Sequence, residues 1–138
     1  MRTKHILEIP YELDYIVLGI NSHAKEYKLC WSVNKTLQLD LEKTDTNNNK
    51  EWISGYTYND SSSKTEYTLF VNQIREGYLL PKRKNINYFL KIKNPLWEQE
   101  KLEFIKKLKE IPEVLLIFEL DTKETENIEN KLFHDSKN

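Results

Sequence analysis

Gly77-Tyr78-Leu79-Leu80-Pro81, followed by Asn87-Tyr88-Phe89-Leu90-Lys91-Ile92, is the stretch on which the reading of the fold turns. A glycine suited to a turn and a proline that stops a strand lead into an aromatic run. Across residues 85–93, Ile86, Tyr88, Leu90 and Ile92 stand opposite Phe89, Lys91 and Lys93. That period of two predicts a strand with one face in the core.

Upstream, Trp52, Ser54, Tyr56 and Tyr58 alternate with Ile53, Gly55 and Thr57, and Tyr67, Leu69 and Val71 share one face of Thr65–Asn72. The polar segment Asn59-Asp60-Ser61-Ser62-Ser63 joins the two runs, which predicts a β-hairpin. Thr44 to Lys50, with three consecutive asparagines, reads as a loop. Leu37, Leu39 and Leu41 alternate with Gln38, Asp40 and Glu42, the pattern of a half-exposed strand. Before them, Leu29, Cys30, Val33 and Leu37 fall on one arc at about 100° per residue, so a helix ends near Leu37, with Asn21 or Ser22 as its expected N-cap. Tyr27 and Trp31 lie one turn apart on the flank of that arc. Asp14–Ile20 is apolar on both faces and predicts a central strand.

Downstream, Asn94-Pro95 predicts a helix start, and Trp97, Phe104, Leu108 and Ile111 share a face flanked by Ile105. Glu98 and Glu100 lie near its positive end and Lys106, Lys107 and Lys109 near its negative end. Pro112 ends it. Val114–Leu120 is apolar on both faces until Glu119 and reads as a buried strand. Beyond Asp121 the chain is polar until Leu132-Phe133, which is expected to return to the core.

The expected fold class is therefore α+β. The elements run β-α-β-β-β-β-α-β within residues 1–133, with a polar tail at 134–138. They form a mostly antiparallel sheet of five to six strands with two helices on one face. This is a ferredoxin-like relative in which the two helix-flanked strands pair in the centre.

Asp14-Tyr15-Ile16-Val17-Leu18-Gly19-Ile20, Glu26-Tyr27-Lys28-Leu29-Cys30, Tyr78-Leu79-Leu80-Pro81 and Tyr88-Phe89-Leu90-Lys91-Ile92 together resemble the IPExxVD family of Bacteroidota. Ile111-Pro112-Glu113, Glu119-Leu120-Asp121 and Asn130-Lys131-Leu132-Phe133 fit the same pattern. Leu120 stands at the family's eponymous valine, and Glu124-Thr125-Glu126-Asn127 replaces its lysine-rich segment. The resemblance implies a domain from Asp14 to Phe133 in an intracellular bacterial setting, and no particular reaction.

Composition narrows the function. With 138 residues, 38% of them hydrophobic, the chain is long enough for one packed core. A net charge of −1 supplies no global field toward nucleic acid or an anionic membrane. No apolar run approaches the ~20 residues of a membrane span, and the charged N-terminus is unlike a signal peptide. Cys30 is the single cysteine, so no internal disulfide forms, and a cytoplasmic protein is expected.

His5, His23 and His134 are far apart and no CxxC or HExxH pair exists, so neither a metal nor another cofactor is expected. Gly19, Gly55 and Gly77 are the only glycines, too few for a phosphate-cradling loop. His23 and Cys30 are about 10 Å apart along a helix, beyond the ~3 Å of a base and its nucleophile, and Ser22 reads as a cap. Asp14, Glu119 and Asp121 would be neighbours if their strands pair, either as acid–base carboxylates or as strand ends meeting solvent. No enzyme is expected.

Binding is the favoured class. Residues 64–93 carry seven basic residues against Glu66 and Glu76, and Lys82, Arg83, Lys84, Lys91 and Lys93 make up the local excess, with Tyr78 and Phe89 interleaved. Basic residues with aromatics on a sheet suit single-stranded RNA, but lysines guarding an edge explain the same pattern. Tyr27 and Trp31 either complete the core or anchor a partner protein. A protein-binding adaptor therefore ranks first and an RNA-associated protein second.

Overall fold

The computed structural model describes residues 14–44 and 55–133. The expected N-terminal features, the asparagine loop, the first residues of the 52–58 strand and the polar tail lie outside them.

β1 (Ile16–Asn21) leads into α1 (Glu26–Leu37), whose buried side is Leu29, Cys30, Ser32 and Val33, as the helical period requires. The N-cap is Lys25, with an extended backbone and no side-chain cap, rather than Asn21 or Ser22. The Ser22 hydroxyl instead accepts the Ala24 N–H at 3.1 Å, shaping the turn before the helix. α1 stops at Gln38, which takes a left-handed conformation with φ 57°. The expected strand across Leu37–Leu41 does not form, because Asn34 claims that backbone. Its amide accepts the Leu41 N–H at 2.8 Å and donates to the Leu41 carbonyl at 3.1 Å. Only Glu42–Thr44 continues, as β2.

The hairpin β3 (Gly55–Asp60) and β4 (Thr65–Val71) is the expected one. β5 (Gln73–Ile74) and β6 (Gly77–Tyr78) form a small separate hairpin, turned by Gly77 at φ 138°, where a side chain would be strained. A 3-10 turn at Pro81–Arg83 leads to β7 (Tyr88–Lys93), then α2 (Trp97–Lys109), β8 (Leu116–Glu119) and α3 (Thr122–Phe133). Before α2, the Asn94 side chain accepts the Leu96 N–H at 2.9 Å, so the Asn-Pro start acts one turn upstream of the helix itself.

Among the described residues the main sheet has six strands in the order β2-β3-β4-β7-β1-β8, every adjacent pair antiparallel. β4, β7, β1 and β8 with α1 and α2 follow the split βαβ plan, and β2 and β3 widen it. Leu18, Ile20, Leu69, Leu90 and Ile92 pack against Leu29 and Val33 of α1 and Trp97 and Leu108 of α2. Phe104 stacks on Tyr67 at 5.7 Å and meets Trp97 edge-on at 5.3 Å. Each such fully buried Leu or Ile contributes about 1.5–3 kcal/mol.

The other face corrects the two-helix expectation. Val17, Phe70, Leu79, Leu80, Ile86 and Phe89 form a second cluster, closed by Ile128 of α3. Sequence reading missed α3, whose first turn carries a reciprocal cap: Asp121 Oδ1 accepts the Glu124 N–H at 2.8 Å and Glu124 Oε1 accepts the Asp121 N–H at 3.2 Å. Ile86 belongs to this second cluster, although alternation grouped it with Tyr88. It lies so close that a Cβ on Gly19 would stand 2.5 Å from its Cδ1, which accounts for a glycine inside a central strand.

β8 also corrects an expectation. It pairs with β1 as expected but, among the described residues, forms the sheet's edge rather than its centre, and Leu115 and Leu116 are 51% and 54% exposed.

Candidate functional site

The five basic residues do not form one patch. Lys82, Arg83 and Lys84 precede β7, whereas Lys91 and Lys93 lie toward its far end, roughly 15–20 Å along the strand. Arg83 is committed internally: its guanidinium donates to Glu124 at 2.8 and 3.3 Å and lies 5.3 Å from the Phe118 ring centroid. These hydrogen bonds raise the Arg83 pKa and hold the Glu124 carboxyl below its ordinary range. Lys93 pairs with Asp14 at 3.4 Å, and the Lys91 ammonium lies 4.4 Å from the Tyr15 ring centroid. Tyr15 donates to Glu129 of α3, and its pKa is raised by burial first and by that carboxylate second. Lys82 and Lys84 remain exposed.

The three carboxylates each have separate work. Glu119 pairs with Lys101 at 2.8 Å, Asp14 with Lys93, and Asp121 caps α3. Among the described residues, no three His, Cys, Asp or Glu side chains gather where they could hold a metal ion. Cys30 is buried, its thiol 3.8 Å from the Leu41 carbonyl oxygen, and burial pushes its pKa up to about 11. His23 is exposed and precedes the helix, so the two do not form a nucleophile–base pair.

Tyr27 and Trp31 are on the outer face of α1, 65% and 55% exposed. The ammonium groups of Lys28 and Lys35 lie 4.8 and 4.9 Å from the Trp31 ring centroid, an i−3 and i+4 pairing that holds cations against the indole. Beside them, Ser32 donates to Glu113 at 2.9 Å, and Lys28 lies 3.9 Å from the same carboxylate. This face is aromatic and basic.

A second feature had no local signal in the sequence. Asn72, fully buried at the end of β4, donates to the carbonyls of Arg83 and Ile86 at 3.0 and 2.9 Å and accepts the Leu80 N–H at 2.9 Å. Asn87 accepts from the Ser22 N–H at 2.8 Å and the Asn21 amide at 3.1 Å, while Asn21 also donates to the Asn85 carbonyl at 2.6 Å. These bonds latch the 72–87 connection to the ends of β1, β4 and β7. They leave a cleft of about 400 Å³ bordered by His23, Val71, Gln73, Tyr78, Lys84 and Asn87. A smaller cleft of about 210 Å³ at the other end of the sheet is lined by Asp14 and Glu98 beside Trp97.

No protein-family model matches the chain, and no curated protein matches it. Among the described residues no helix is long and apolar enough to cross a membrane.

Proposed function

We propose that this chain is a non-catalytic, cytoplasmic protein-binding domain of the IPExxVD type, and that its contact surface is the outer face of α1. The observation that carries the reading is the exposure of Tyr27 and Trp31 one helical turn apart. Large aromatics anchor interfaces because they bury much area at low entropic cost, and Lys28 and Lys35 beside the indole favour an acidic partner surface. An RNA-associated function is the second reading, supported by Lys84, whose ammonium lies 5.6 Å from the Tyr78 ring centroid, with Lys82 nearby in sequence.

Retention of partners from the protein's own cells, with and without nuclease, distinguishes the two. Under the protein-binding reading, Trp31→Ala releases a nuclease-resistant partner, and the double charge reversal Lys82→Glu/Lys84→Glu leaves it bound. Arg83 stays unchanged because it holds Glu124. Release by the charge reversal, lost on nuclease treatment and steeply salt-dependent, would replace the first reading with the second.

A further inference from the structure

We propose that the cleft between the ends of β1, β4 and β7 is a binding site for a small anionic ligand, one carrying a phosphate or carboxylate group. The site is independent of the α1 face.

Its chemistry is one-sided. His23, Gln73, Tyr78 and Lys84 border it, and among the described residues no carboxylate does. Lys84 forms no ion pair among the described residues, whereas its neighbour Arg83 is neutralised by Glu124. Asn87 adds a further donor. Its side-chain oxygen already accepts two hydrogen bonds, from Ser22 and Asn21, which fixes the amide orientation. Its nitrogen then remains as a donor with no partner among the described residues. A concavity rich in donors, with an unpaired cation and no acid among the described residues that line it, is matched by an anion and by few neutral groups.

The walls are also fixed in advance. Asn72 binds the backbone of Leu80, Arg83 and Ile86, and Asn87 ties the end of that connection to the Ser22 N–H after β1, so a ligand meets a preformed surface and little loop ordering opposes binding. A volume of about 400 Å³ is within the range of small-molecule sites. Val71 and the Tyr78 ring offer an apolar side, so an anion attached to a flat or apolar body fits better than a bare ion.

The test is a titration of isotope-labelled protein followed by amide NMR, with inorganic phosphate, 5′-AMP and adenosine as probes. We expect 5′-AMP to shift the amides of His23, Gln73, Tyr78, Lys84 and Asn87, phosphate to shift the same set more weakly, and adenosine to leave them in place. Lys84→Glu should weaken 5′-AMP at least about tenfold, the loss expected for one charge-assisted hydrogen bond. Lys82→Glu, on the same turn but outside the cleft, should change it less than about twofold. The proposal is overturned if adenosine binds as well as 5′-AMP, if the shifts fall outside the cleft, or if Lys82→Glu weakens binding as much as Lys84→Glu.

Discussion

The Arg83 guanidinium grips the Glu124 carboxylate with two hydrogen bonds, Nε to Oε2 at 2.8 Å and Nη2 to Oε1 at 3.3 Å. Glu124 Oε1 also accepts the Asp121 N–H, so one carboxylate joins the 80–87 connection to the first turn of α3. The pair closes the second face of the sheet, beside Phe118.

Acid should release this clasp. Glu124 is held below its ordinary value of 4.5, first by the Arg83 hydrogen bond. A depressed carboxyl stabilises the fold above its unfolded pKa, and that contribution is lost as pH falls through the folded value. Glu124→Gln should therefore cost up to about 1 kcal/mol at neutral pH, from the ion pair, since the glutamine oxygen can still accept the Asp121 N–H, and progressively less as pH falls below the ordinary glutamate range. Urea melts of both proteins between neutral and strongly acidic pH check this; a constant difference would remove the charge pairing as the cause.

Asn72→Ala should cost about 2–3 kcal/mol, because it orphans the Ile86 carbonyl and the Leu80 N–H in a buried setting, while the Arg83 carbonyl keeps the Ile86 N–H at 3.0 Å. Asn85→Ala, at an exposed site on the same connection, should cost under about 0.5 kcal/mol. Denaturant midpoints of the two variants give the comparison.

Phe104→Ala should cost about 3 kcal/mol, since its ring packs between Tyr67 and Trp97. Glu103→Ala, exposed at the preceding position, should cost little. Equal losses in thermal unfolding would mean that the α2 face has been phased wrongly.

Cys30 should resist thiol reagents in the native state at pH 8 and react fully in denaturant. Its raised pKa, about 11, leaves little thiolate at that pH, and Leu41 and α1 cover the sulfur. Rapid labelling of native protein at low pH would instead indicate an activated cysteine.

Local periodicity was enough to define the β3–β4 hairpin, the inner face of α1, the Trp97–Ile111 face of α2 and the alternation of β7. Each pattern lies within a few residues, where strand or helix geometry alone dictates which side chains point together. α3 escaped because Ile128 and Leu132 make too narrow an apolar stripe in a polar segment, although the Asp121–Glu124 cap is a readable signal. β8 is apolar on both faces, yet only the strand order reveals that, among the described residues, no strand pairs along its outer edge. The tertiary structure alone decided that Arg83 is committed to Glu124, that Tyr27 and Trp31 face outward, and that Asn21, Asn72 and Asn87 frame a cleft. Those outcomes depend on partners up to 66 positions apart in the chain, brought together only when burial of the two clusters sets the strand order.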